Sequence, residues 1–174
     1  MGEGGMTPGR RPVVPDRDRD VTGRPRNARP RDSLGRPLPR VGDEPVQAPL
    51  DEPPLPPIEA IARADELIRD GRPFTAHEVL EAVWHVSPPD ERRFWQGLAQ
   101  VAVGLTHAQR GNAVGAAALL SRGADRVARH VGETYGVDVR LLVQKCFQLA
   151  ERIERDGLDA IGAEELALQL GAQP

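Results

Sequence analysis

The 174-residue sequence has one cysteine, only 3% aromatic residues and no long apolar run. A single cysteine forms neither an internal disulfide nor a cysteine-rich metal site. No stretch approaches the roughly 18 apolar residues of a membrane-spanning helix, and the N-terminus lacks the apolar segment of a secretory signal. These absences exclude a disulfide-stabilised scaffold and predict a cytoplasmic protein without a membrane segment.

Proline is unevenly distributed along the chain. Thirteen of the 17 prolines precede Ile58, and this part of the sequence has little apolar surface with which to offset the entropy of ordering a chain. We therefore expect residues 1–57 to be a largely disordered, Pro/Arg-rich arm and linker. Residues 58–174 are long enough for one ordinary core and are predicted to form a single domain.

Charge is also asymmetric. Residues 1–42 hold ten arginines and five acids, whereas residues 43–174 hold 13 bases and 21 acids. A basic arm can bind phosphate backbones, but this one has no aromatic residue to stack on bases, and an acidic body repels nucleic acid. Nucleic acid is therefore not expected as a partner.

The body of the chain has helical periodicity and no run of alternating β-branched residues. We predict an all-α fold, a compact bundle of five to six helices without a sheet. The boundaries follow from glycines, prolines and capping residues. The predicted helices are 58–70, 73–86, 90–110, 113–131, 139–156 and, as a short sixth, 163–170, with Asn112 and Asp138 as N-caps and a turn at 132–137.

The third predicted helix has the widest apolar face, which favours a central, largely buried position. Gly97, Gly104 and Gly111 recur every seven residues, the first two on one side of this helix and the third at its end. Because glycine lowers helix propensity, this stripe predicts a close approach of another backbone. On the fifth predicted helix, Cys146 falls in the inward stripe and is expected to be a small buried hydrophobe.

One stretch carries most of the residues that could do chemistry. His77 and Glu81 are four apart, which places an imidazole and a carboxylate on one helix face with a spacing able to chelate a divalent ion. Trp84 lies within about 20° of the same face, and His85 extends the series. Glu78 lies about 100° away around the helix and is a candidate base rather than a co-planar ligand.

Further groups for this site could come from the polar strip of the third helix, where Gln96, Gln100 and His107 follow one another. If that strip faces His77 and Glu81, the two helices enclose a pocket, and these three side chains, together with His85, would lie around the ligand-binding residues and orient them. The other interpretation is structural: His77, Glu81 and the Trp84 indole would form a buried hydrogen-bond network that fixes helix packing. Two ligands are fewer than catalytic metal sites use.

Several short motifs occur in a joint order that resembles a known family. They are His77-x-x-x-Glu81-x-x-Trp84, Phe94-Trp95-Gln96-Gly97-Leu98 with Gln100 and Ala102, Arg110-Gly111-Asn112, and Gly115-Ala116 before Leu119-Leu120. Together, over about residues 60–130, they resemble the small prokaryotic family called domain of unknown function 309. The arm is similar to one that precedes this domain in actinobacterial relatives.

The resemblance implies an all-helical domain in which His77, Glu81 and Trp84 bind metal, with Glu78 as an associated carboxylate. It implies no reaction.

The first hypothesis is thus a cytoplasmic helical protein with a divalent-metal or small-ligand pocket. If the protein is an enzyme, metal-assisted hydrolysis with Glu78 as proton acceptor is the first choice. The alternative is a noncatalytic interaction module. Exposed faces of the first and fifth helices could pair with another copy of the chain.

Overall fold

The computed structural model of the protein describes Asp32, residues 53–130 and residues 133–171. Most of the predicted arm, residues 1–57, and the last three residues of the predicted domain lie outside these ranges. The elements are α1 (Pro57–Arg69), α2 (Pro73–Val86), α3 (Arg92–Gln109), α4 (Ala113–Val127), β1 (Glu133–Thr134), β2 (Val137–Asp138), α5 (Val139–Asp156), a 3-10 turn (Leu158–Ala160) and α6 (Ala163–Leu166). The all-α prediction is confirmed.

Each of the first four helices packs on the next one along the chain, so α3 lies between α2 and α4. Eleven of the 18 residues of α3 are buried, including the two largest side chains of the core, Phe94 and Trp95. The prediction of a central, largely buried third helix is confirmed. No helix in the described part of the chain is long and apolar enough to cross a membrane.

Local signals set most helix starts. Pro73 occupies the first turn of α2, where its missing N–H costs nothing. The Asn112 side chain accepts a hydrogen bond from the Gly115 N–H at 2.8 Å, and Asp138 accepts one from Leu141 at 3.0 Å. Both residues satisfy a backbone donor that has no partner within the helix, as an N-cap does.

The structure differs from the predicted boundaries at three helix ends. α3 begins at Arg92, because residues 88–91 first form a turn in which the Glu91 N–H donates to the Pro88 carbonyl. α4 ends at Val127, after which the His130 N–H donates to the Val127 carbonyl in a tighter turn. α6 ends at Leu166 instead of residue 170, because the Leu170 N–H donates to the Asp65 side chain of α1.

The β-structure that the described residues hold is a two-residue antiparallel ladder, which lies in the predicted turn at 132–137 except for Asp138, the partner of Glu133. Tyr135 and Gly136 connect its strands with φ of 54° and 78°, the positive values that a tight hairpin turn needs at both central positions. The Tyr135 hydroxyl donates to Glu91 Oε1 at 2.6 Å. The hairpin is thereby held against the start of α3.

Candidate functional site

Three side chains of α2 form a series along one side of the helix. His77 Nε2 lies 3.7 Å from Glu81 Oε2, and His85 Nε2 lies 3.8 Å from Glu81 Oε1. The exposed fraction rises along the series, from 21% for the His77 side chain to 39% for Glu81 and 61% for His85. One carboxylate thus has an imidazole beside each of its two oxygens, at the surface of the helix.

The first turn of α2 is anchored to the end of α3. The Phe74 ring lies 5.9 Å from the His77 ring, and the Arg110 guanidinium lies 6.0 Å over the Phe74 ring. Nearby, Gln109 Nε2 donates to the Gly71 carbonyl at 3.0 Å. These contacts place His77, the least exposed member of the series, next to an aromatic ring and close to the junction of α2 with α3.

Trp84 and Glu78 take different positions around the same helix. The Trp84 ring is partly buried against the core and stacks on the His85 ring, with centroids 5.1 Å apart and an interplanar angle of 26°. Glu78 is exposed. The structure therefore brings Trp84 to His85, at the C-terminal end of the series.

Gln96 and Gln100, which were expected to support the site on α2, are directed at α4. Gln96 Oε1 accepts a hydrogen bond from Arg126 Nε at 3.0 Å, and Gln100 Oε1 accepts one from Arg126 Nη1 at 2.8 Å. The condition stated for a pocket between α2 and the polar strip of α3 is therefore not met by these two glutamines.

His107, the third polar residue of that strip, is also directed at α4. Its Nδ1 lies 2.8 Å from Asn112 Nδ2, and an added Cβ at Gly115 would be 2.3 Å from the same ring nitrogen. Burial lowers the pKa of His107, and the nearby Arg110 charge lowers it further. Nδ1 of the neutral ring can accept a hydrogen bond from the Asn112 amide N–H, while the amide oxygen of Asn112 caps α4.

The donor set on α2 is small. No group of three or more His, Cys, Asp and Glu residues within residues 53–130 and 133–171 is arranged to hold a metal ion. Two ligand atoms bound to a tetrahedral zinc ion at its usual bond lengths are about 3.4 Å apart. The 3.7 Å between His77 Nε2 and Glu81 Oε2 is close to that separation. This separation is compatible with chelation of one ion by the pair.

The sequence analysis missed a group of arginines between α3 and α4. Arg93, Arg122, Arg126 and Arg129 line one cavity together with Gln96 and Asp125. The signal was available in the sequence, since Arg122, Arg126 and Arg129 follow the spacing of one helix face. The acidic balance of residues 43–174 as a whole hides this local cluster of positive charge.

Comparisons with known proteins agree with the resemblance over part of the chain. Residues 61–119 match the family described as Domain of unknown function (DUF309). A curated relative, "Uncharacterized protein YpuF" of Bacillus subtilis (strain 168), is 34% identical over 84 residues, which cover 47% of this chain and 48% of that protein. The chain thus spans about half the length of the relative. No solved structure matches the chain.

Proposed function

We propose that this chain, whose residues 61–119 are a domain of unknown function 309 segment, is a helical binding protein that holds a divalent metal ion through His77 and Glu81 of α2. The observation that carries the proposal is the 3.7 Å separation of His77 Nε2 and Glu81 Oε2 across one helical turn. An imidazole nitrogen and a carboxylate oxygen are ligands that zinc and other first-row divalent ions accept.

Two protein ligands leave coordination positions open. Glu81 and the neighbouring His85 are more exposed than His77, so the open side of such an ion faces solvent. A small ligand with a carboxylate or imidazole, or a side chain of a partner, would complete the coordination. This arrangement favours binding over hydrolysis, because Glu78, the residue that hydrolysis would need as proton acceptor, lies about 100° around the helix.

A second candidate is the noncatalytic interaction module in which the same residues are structural. The stacking of Trp84 on His85 and the contact of Phe74 with His77 favour it, since both tie the series to packed aromatic rings. Under this alternative no ion is bound, and the side chains of His77 and Glu81 hold α2 in place.

Calorimetric titration of zinc into the tag-free full chain tests the proposal. We expect about one equivalent to bind in the parent protein, and His77→Ala and Glu81→Ala each to weaken binding about tenfold or more. Glu59→Ala is the charge-matched control, because Glu59 is an exposed acid on α1. His85→Ala distinguishes the His77–Glu81 pair from the Glu81–His85 pair. The zinc affinity of this variant should stay near that of the parent if the ion lies between His77 and Glu81.

A parent protein that binds no zinc, manganese or nickel contradicts the metal proposal. In that case, a fall in the free energy of unfolding of about 2–4 kcal/mol in His77→Ala would support the structural alternative. Equal loss of affinity in Glu59→Ala and Glu81→Ala would instead show that zinc responds to net charge, and would also contradict the site.

A further inference from the structure

A basic cavity of about 470 Å³ lies between α3 and α4, away from the series on α2. Four arginines, one glutamine and one acid line it: Arg93, Gln96, Arg122, Asp125, Arg126 and Arg129. The cavity therefore carries a local surplus of three positive charges, although residues 43–174 as a whole are acidic.

The cavity forms because α3 and α4 pack closely against each other. Arg122 and Arg126 lie one turn apart on α4, and Arg129 lies in the turn that follows this helix. Arg93 lies one turn before Gly97 on α3. An added Cβ at Gly97 would be 3.0 Å from the Arg126 Cβ. The absence of a side chain at Gly97 thus lets the arginine face of α4 approach α3.

Hydrogen bonds to uncharged groups orient the Arg126 guanidinium, and they leave its positive charge without a paired acid among the residues that the structure describes. Its Nε and Nη1 donate to the amide oxygens of Gln96 and Gln100, and Nη1 also reaches the Arg122 carbonyl at 3.3 Å. All three acceptors are uncharged. The Nη2 group has no hydrogen-bond partner among the described residues, so two N–H donors of a positioned guanidinium are left for a ligand.

The other arginines of the cavity also lack a close ion pair among the described residues. Within the described ranges, none of the four arginines has a carboxylate oxygen within 4.0 Å, whereas Arg152 and Arg155 of α5 each pair with acids. Like charges gathered on one face repel each other and favour binding of an anion. Guanidinium groups suit phosphoryl oxygens especially well, because their planar fork donates two parallel hydrogen bonds.

We propose that this cavity binds a small ligand with two or more adjacent phosphoryl groups. Its volume exceeds that of a single phosphate ion and falls within the range of about 300–1,000 Å³ typical of small-ligand sites. No aromatic residue lines it, so it lacks the stacking surface that binds bases in single-stranded nucleic acid. The site is independent of the proposed metal site on α2.

Calorimetric titration of inorganic diphosphate into the full chain at low salt tests the inference. The test variant is Arg122→Gln/Arg129→Gln, whose two positions are exposed, so that its melting temperature should match that of the parent. The matched control is Arg63→Gln/Arg140→Gln, which removes two exposed charges outside the cavity. We expect the test variant to bind about tenfold more weakly or worse, since it loses two charge-assisted contacts, and the control to keep the parent affinity.

Three results would overturn the inference. One is a parent protein that does not bind diphosphate. Another is equal weakening in the two double variants, which would mean that only net charge matters. The third is binding of citrate or of an RNA oligonucleotide through Arg122 and Arg129 at least as tightly as diphosphate, which would assign the cavity to carboxylates or to nucleic acid instead.

Discussion

Gly97 of α3 and Gly123 of α4 are in direct backbone contact. An added Cβ at Gly97 would be 2.9 Å from the Gly123 carbonyl oxygen, and an added Cβ at Gly123 would be 2.8 Å from the Gly97 carbonyl oxygen. The close approach that the glycine stripe predicts is thereby confirmed at Gly97, whereas it is wrong at Gly111, where an added Cβ would meet nothing within 4 Å. Because the same contact brings Arg126 to Gln96 and Gln100, the packing of these two helices determines the shape of the basic cavity.

Gly97→Ala and Gly123→Ala should each lower the free energy of unfolding by about 1–3 kcal/mol. The methyl group meets backbone atoms that cannot move aside, and this cost exceeds the gain in helix propensity of about 1 kcal/mol. Gly104→Ala is the matched control, since its added Cβ would meet the Leu120 side chain at 3.0 Å and backbone atoms only at 3.1 Å and beyond. Its loss, measured by chemical denaturation, should be smaller. A more stable Gly97→Ala would contradict the contact.

Sequence reasoning succeeded where the signal is local. The caps at Asn112 and Asp138 and the pairing of His77 with Glu81 depend on residues three or four apart, whose distance any helix fixes. The end of α6 was predicted wrongly because Leu170 bonds to Asp65, 105 residues away. No periodicity encodes such a bond.

The difference between local and long-range signals also explains the outcome for Gln96 and Gln100 in the candidate site. Helical spacing shows that Gln96 and Gln100 share a face of α3, but not which neighbouring helix covers that face. Here the answer depends on Arg126, which reaches both amides only because Gly97 and Gly123 allow close packing. The contact of Gly97 with Gly123, and the role of the two glutamine amides, can therefore be recognised only when it is known that α3 packs on α4.

Cys146 should not react with thiol reagents in the native protein at pH 8. Its side chain is fully buried in α5, and burial raises the pKa of the thiol to about 12, so that almost no thiolate is present. Because it is the only cysteine in the chain, labelling followed by mass spectrometry reports this residue alone. Val114→Cys/Cys146→Ala, with the thiol at an exposed position of α4, is the control and should label fully. Rapid labelling of the native parent would contradict the burial.

Tyr135 should ionise well above its ordinary pKa of 10.0. Its hydroxyl donates to Glu91, and this hydrogen bond, with burial and the Glu91 charge, raises the pKa to about 12. The raised value means that the contribution of Tyr135 to folding stability is complete below pH 10 and is lost between about pH 10 and 12.

The chain has a single tyrosine, so absorbance titration of the phenolate measures Tyr135 directly. Glu91→Gln removes the charge and should move the titration towards the ordinary value. Asp138→Asn, which removes an exposed acid at the same hairpin, is the control and should leave it near that of the parent. An unchanged titration in Glu91→Gln would show that Glu91 does not control the phenol.

Asp65 joins α1 to the end of the described chain. Its Oδ1 accepts a hydrogen bond from the Leu170 N–H at 2.6 Å, and its Oδ2 accepts one from the Gly171 N–H at 2.9 Å. Asp65→Ala should lower the free energy of unfolding by about 2–4 kcal/mol, because it leaves two backbone donors without an acceptor in a buried region. Glu66→Ala, the neighbouring exposed acid, should cost much less.

The ionisation of Asp65 makes the contribution of its two hydrogen bonds to folding stability depend on pH. Burial raises the pKa of the carboxyl above its ordinary 3.8, against the opposing effect of the two N–H donors. Between pH 3.8 and the raised pKa the native state therefore holds a proton that the unfolded state has released, and the contribution of Asp65 to stability falls as pH rises from 3.8 through the raised pKa. Asp65→Asn cannot titrate. The stability of the parent relative to Asp65→Asn, from urea denaturation at a series of pH values, should decrease from pH 4 upwards; an increase would mean that the two N–H donors outweigh burial.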